Sequence, residues 1–201
     1  MTSRKLGAVA SAAAAMIFAT TAVAQTPAAS LTHGPALPGV CVLDAQQAIA
    51  TSTVGKYVDS RMTQLIQQVS TELKPENDTI NTEAKTLEST RATMDKAQWE
   101  KRATDLSTRG AAFERKANQR QAELERTRSK AIQRVAQEMD PVIVQVYQQR
   151  KCSLLLDGRS VMASNPAMDI TSSVIAGLNA KIQQFAFERE HLDAQAAAAA
   201  Q

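Results

Sequence analysis

Residues 66–94 read IQQVSTELKPENDTINTEAKTLESTRATM, and Ile66, Leu73, Ile80, Leu87 and Met94 recur in them at a constant interval of seven. One apolar side chain every two turns is a coiled-coil stripe, narrower than the face of a helix in a globular core. The run around it, residues 56–151, is broken only by Pro75, Gly110 and Pro141 as potential helix breakers. A helical stretch of that length is either one rod or two helices folded back on each other. Asp95, with Gln98 three residues on, makes a capping-box start for a second helix and places the reversal near Met94. Facing positions then add to about 190: Ile66 meets Leu124, Leu73 meets Ala117, Ile80 meets Gly110, and Leu87 meets Ala103. Layers between them pair Glu76 with Phe113, Glu83 with Leu106 and Thr90 with Trp99. Large residues fall opposite small or polar ones, which favours an antiparallel hairpin.

Such half-filled layers predict arms that are stable at their base and loose toward the tip. Pro75 is expected to kink the first arm, and Asp140 to cap a helix restarted at Pro141. Charge divides unevenly. Residues 96–134 hold eleven Lys or Arg against five Asp or Glu, whereas residues 56–95 hold five against seven. Helical neighbours such as Asp105 with Arg109, Glu88 with Arg91, and Glu125 with Arg128 account for part of this. The remainder is a basic stripe suited to an acidic partner or an anionic membrane surface.

The flanks read differently. Residues 39–44 are a short β-branched and apolar strand, followed by a helical turn at 46–52 and punctuation at Gly55. After the hairpin come a strand at 152–157, a turn at Gly158-Arg159, and a further strand at 160–163, for a sheet of about three strands. Asp169 then caps a last helix whose apolar face is Val174, Ile175, Leu178, Ile182 and Phe185. The fold class is thus mainly α with a small β part, a helical hairpin projecting from a body formed by 39–55 and 152–190. So small a body predicts association between copies.

At the other end, Arg4 and Lys5, an apolar run at 6–20 and Ala22-Val23-Ala24 make residues 1–24 a cleavable signal peptide. Residues 25–38 read as a flexible leader and 191–201 as a low-complexity tail. Loss of Arg4 and Lys5 takes the formal charge from +3 to about +1, which removes the case for a nucleic-acid partner. Cys41 and Cys152 can pair in an oxidising compartment, although two small buried apolar residues is the preferred reading, and no ligands stand near them to make a metal site. The histidines are His33 and His191, without neighbours to work with, and no phosphate-binding glycine loop or nucleophile turn occurs. No catalytic residue, cofactor site or metal site is expected, and the chain is not read as an enzyme.

In order, the strand Val40-Cys41-Val42-Leu43-Asp44, the long hairpin, Leu154-Leu155-Leu156-Asp157, Val161-Met162-Ala163-Ser164-Asn165 and Asp169-Ile170-Thr171 resemble the Skp (OmpH-like) family of periplasmic chaperones. The resemblance implies a homotrimer whose arms enclose a cavity for unfolded outer-membrane proteins, held without ATP. It implies a periplasmic location. A lipopolysaccharide-binding basic set proposed for some members matches no motif here, so no residue is carried over for it; an anionic membrane or lipopolysaccharide surface remains a partner of the right charge. Client-contact candidates are Met94 and Trp99 at the tip, with Arg102, Arg109, Arg115, Lys116 and Arg120 on the basic arm. The alternative is a periplasmic coiled-coil adaptor bridging envelope components, although such a hairpin would sit between larger strand-rich domains.

Overall fold

The computed structural model describes residues 31–192. The chain divides into two units, residues 1–32 and 33–201, and the second holds every element below. The predicted signal peptide and the tail from residue 193 lie outside the described residues, as do residues 25–30 of the leader. The elements are β1 (Val40–Leu43), α1 (Ala45–Thr51), α2 (Thr53–Ser89), α3 (Lys96–Gln149), β2 (Leu154–Asp157) and α4 (Thr171–Lys181). At about 1.5 Å per residue the two long helices span roughly 55 and 80 Å. Among the described residues no helix is long and apolar enough to cross a membrane.

The reversal falls where the capping signal placed it. Asp95 caps α3, its Oδ1 accepting from the Gln98 N–H at 3.1 Å. Because the hairpin returns the chain to its starting end, β2 runs parallel to β1, pairing Val40 with Leu154 through Leu43 with Asp157. The expected third strand is absent: Gly158–Ser160 is a single 3-10 turn, and the sheet has two strands. Asp157 turns the chain there by accepting from the Arg159 N–H at 3.0 Å, which pulls 158–160 out of extended geometry. Instead, Val42 makes one isolated bridge with Asp169.

Three other expectations change. Gly55 does not punctuate; it lies inside α2, whose true cap is Ser52, Oγ accepting from the Gly55 N–H at 3.1 Å. Asp140 caps no restarted helix, since α3 is continuous through Pro141. A missing N–H costs one ladder bond, and packing of Met139, Val142 and Val146 into the core holds the helix across it. Finally, α4 stops at Lys181: Ile182 is extended (φ −148°, ψ 134°), and Phe185 lies beyond the helix.

The core sits at the base of the hairpin. Val54, Val58, Met62, Leu65 and Val69 of α2 close on Leu124, Ala131, Val135, Met139, Val142 and Val146 of α3, with Ile170, Val174 and Leu178 completing it. Full burial of each large aliphatic chain contributes about 1.5–3 kcal/mol. No apolar side chain of α2 beyond Val69, or of α3 before Leu124, is fully buried. Cys41 and Cys152 are disulfide-bonded, with Cα atoms 5.8 Å apart, so the reading as two unpaired buried residues is corrected. The sequence separates them by 111 residues, and only the return of the hairpin brings them together.

Ile66 is the clearest correction within the seam. It is 52% exposed, while Leu65 is 1% exposed and takes the core position. Seven residues fall short of two full α-helical turns, so a heptad stripe drifts by about 20° per repeat on a straight helix. Over the four repeats from Met94 back to Ile66 the drift reaches about 80°, enough to turn Ile66 off the face. Gly110 is corrected too: a Cβ built there would meet nothing within 4 Å, so no Ile80 side chain presses against it. Leu73, Ile80, Leu87, Ala103 and Ala117 are half-buried, and Leu124 is buried.

Candidate functional site, the groove and ladder between the arms

Beyond the core, charge takes over from apolar packing. Asp59 meets Arg128 at 2.9 Å, Glu72 meets Arg120 at 2.8 Å, Glu76 meets Lys116 at 2.9 Å, and Glu83 meets Arg109. Every acid is on α2 and every base on α3. The three outer pairs add to 192 and step by four and then seven residues on both arms, as antiparallel partners must. The uneven charge read from the sequence is therefore spent largely between the arms. Two expected helical pairs, Asp105 with Arg109 and Glu125 with Arg128, give way to these, and only Glu88 with Arg91 forms, at 3.9 Å. Exposed pairs of this kind contribute about 0–1 kcal/mol each, so the ladder sets register more than it adds stability.

This redistributes the basic candidates. Arg109, Lys116 and Arg120, read from the sequence as client-contact candidates on the basic arm, hold α2 carboxylates. Arg102 and Arg115 carry no ion pair among the described residues. Arg102 lines a cleft of about 380 Å³ between the outer arms, with Thr82, Glu83, Thr86, Leu87, Leu106 and Arg109 also on its walls. At the tip, Trp99 donates its indole N–H to the Leu87 carbonyl at 3.2 Å, and the Arg91 guanidinium lies 5.0 Å from its ring centroid. Trp99 thus clasps the hairpin end, and Met94 is half-buried beside it.

One charged cluster reaches from the surface into the interior. Glu123 is fully buried, its carboxylate accepting from Arg120 Nη1 at 3.1 Å and facing Arg189 Nε at 3.3 Å. Glu72 bridges the same two arginines, at 2.8 and 2.9 Å. Two carboxylates between two guanidiniums leave no buried charge uncompensated, the condition a buried ion cluster must meet. The hydrogen bond from Arg120, joined by Arg189, holds the Glu72 carboxyl below the usual carboxylate range against the opposing effect of its burial. Lys181, and then Arg134, do the same for Glu138, where the end of α4 meets α3. Because the folded-state value of Glu72 is depressed, its contribution is present at neutral pH and lost as pH falls through the folded value, below the range of about 4.3 for a free glutamate. The thermal midpoint is expected to fall between pH 5 and pH 3, and Glu72→Gln, measured by the same melting series, is expected to flatten part of that fall.

Arg189 comes from a segment the sequence reading missed. After α4, residues 182–192 form an extended strap running up the groove between the arms. Asn179 accepts from the Thr53 N–H at 2.7 Å, while Arg189 reaches Glu72 at 2.9 Å. From Asn179, near the end of α4, to Arg189 the chain advances ten residues while α2 advances nineteen, roughly 28 Å at helical rise, which requires extended chain after Lys181. Phe185, Phe187 and Arg189 are turned inward, Ala186 and Glu188 outward. Phe185 and Phe187 stack near Tyr57, with ring centroids 6.5 and 6.4 Å from it. The period-two pattern Phe185-Ala186-Phe187-Glu188-Arg189 was the available signal.

The model of the family described as Outer membrane protein (OmpH-like) matches residues 39–178. No curated protein matches the chain. Among solved structures, one from Caulobacter crescentus CB15, described as an outer membrane chaperone (OmpH-like), is 47% identical, with a TM-score of 0.73. The match covers 83% of this chain and 98% of that one.

Proposed function

The chain belongs to the OmpH-like family of outer membrane chaperones, and from that membership we propose that it is an ATP-independent periplasmic holdase for unfolded outer-membrane proteins. One observation carries the reading. The apolar core ends at Val69 and Leu124, yet the two helices continue well beyond it, joined mainly by exposed ion pairs and a tip clasp. Arms built that way add little to the stability of their own domain. They suit many weak, adaptable contacts to a partner, and several arms around one client raise its effective concentration without a deep pocket. The cleft at Arg102, Leu87 and Leu106 and the guanidinium of Arg115, without an ion pair among the described residues, would be among those contacts.

The proposal includes a trimer. A two-stranded sheet is marginal alone, and Leu154 and Met162 at its margin are 50% and 105% exposed. Pairing of such edges between copies would close them. It also includes export by the signal peptide read in residues 1–24, which accords with a disulfide between Cys41 and Cys152.

Purified mature protein is expected to suppress the light scattering of an outer-membrane protein diluted from urea, with no nucleotide present. Sedimentation should give a mass of three chains. An unchanged aggregation rate at a threefold molar excess of trimer would sink the holdase reading.

A further inference from the structure

We propose that the groove between α2 and α3 is a binding site for extended polypeptide with apolar side chains at alternate positions followed by a basic residue, and that residues 182–192 are its cis occupant, displaced when such a segment binds. The inference rests on the holdase reading for the source of the segment. Strands of outer-membrane barrels alternate apolar and polar residues along their length.

The strap occupies the groove as a ligand would. Phe185 and Phe187 lie against Tyr57, and their own rings are 5.4 Å apart. Two residues further on, Arg189 enters the carboxylates of Glu72 and Glu123. The walls also meet the strap's backbone: Arg61 Nε donates to the Phe187 carbonyl at 3.4 Å, and the Glu190 N–H donates to Thr127 Oγ1 at 2.9 Å. Backbone contacts with side-chain sites at alternate positions are the general means of recognising an extended chain.

Several features make the occupant exchangeable. From 182 to 191 the strap forms no helix and joins no strand of the sheet. Its two phenylalanines are only half-buried, and Glu188, its partner for Arg61, has a side chain 79% exposed. The family match ends at residue 178, before the strap begins. A tethered segment competes at an effective concentration on the order of millimolar, so a free peptide binds with an affinity reduced by the small fraction of open groove. Departure of the strap would withdraw Arg189 from buried Glu123, and an incoming basic residue restores that partner.

The test uses the full mature chain and a fluorescein-labelled peptide of residues 182–192, read by fluorescence anisotropy. Phe185→Ser with Phe187→Ser opens the groove and is expected to raise peptide affinity at least about tenfold over the unmodified chain. Arg61→Cys with Glu188→Cys, oxidised to tie the strap down, is expected to abolish binding, whereas Arg61→Ala with Glu188→Ala is expected to bind at least as well as the unmodified chain. A peptide of the same composition with its two phenylalanines adjacent should bind several-fold more weakly. Equal binding by the tied chain and its alanine control, or by the two peptides, would overturn the proposal. Either result leaves the aggregation assay untouched, so a chain that still protects its client has lost the groove inference alone.

Discussion

Substitution of Gly55 by alanine is expected to cost about 1–3 kcal/mol of stability, although it replaces glycine by the best helix former in the first turn of a helix. A Cβ at Gly55 would stand 1.8 Å from the Ile49 carbonyl oxygen and 2.8 Å from its carbon. Those are backbone atoms of α1, and no rotamer change can move them away. The short helix would have to lift off α2, taking buried Ala48 with it and opening Ser52, which is also fully buried. The control is Gly110→Ala. Gly110 is helical too, and a Cβ there meets nothing within 4 Å, so the same substitution is expected to stabilise by about 0.5–1 kcal/mol. Urea unfolding at one fixed protein concentration measures both. Opposite signs are expected, and a stabilised Gly55→Ala would show that α1 does not pack as described.

Removal of the disulfide is the second large effect. Cys41→Ala with Cys152→Ala is expected to destabilise by about 3–5 kcal/mol. The bond closes a loop across a sequence separation of 111 residues, which contains the whole hairpin, and loops that long restrict the unfolded chain most. Both cysteines are buried in the native fold, 5% and 8% exposed, so alanine leaves only a small void. The loss should therefore be visible in the denaturant midpoint of the double variant, and reduction of the native chain should reproduce it. Equal midpoints for oxidised and reduced protein would show that the bond does not constrain the unfolded state.

How much of this was legible depended on range. Asp95 and Gln98 announce a helix start within four residues, and the reversal lies there. The strands at Val40 and Leu154 are short apolar runs, the first with β-branched residues, readable without knowing what they pair with. The candidate site was less legible. Arg109, Lys116 and Arg120 were correctly seen as belonging to a basic arm, yet what they face is set by register to within one turn. An error of two in the sum of facing positions is enough to set Asn81 rather than Glu83 opposite Arg109. Tyr57, Glu72, Glu123 and Arg189 were not identified at all, because no local pattern links a residue at 57 or 72 to one near 189.

By itself, then, the sequence determined the elements: two long helices, where the chain turns between them, the two strands that bracket them, and the acidic and basic character of each arm. These follow from periodicity, capping and composition, which act over a few residues. Tertiary structure alone decided which side chains those elements bury. It put Leu65 rather than Ile66 in the core, because 3.6 residues per turn accumulates a rotation that a count of seven ignores. It also joined Cys41 to Cys152, made Gly55 a point of close approach instead of a break, and laid residues 182–192 along the arms. Each of these depends on a distance between segments far apart in the chain, and that distance exists only once the hairpin has closed.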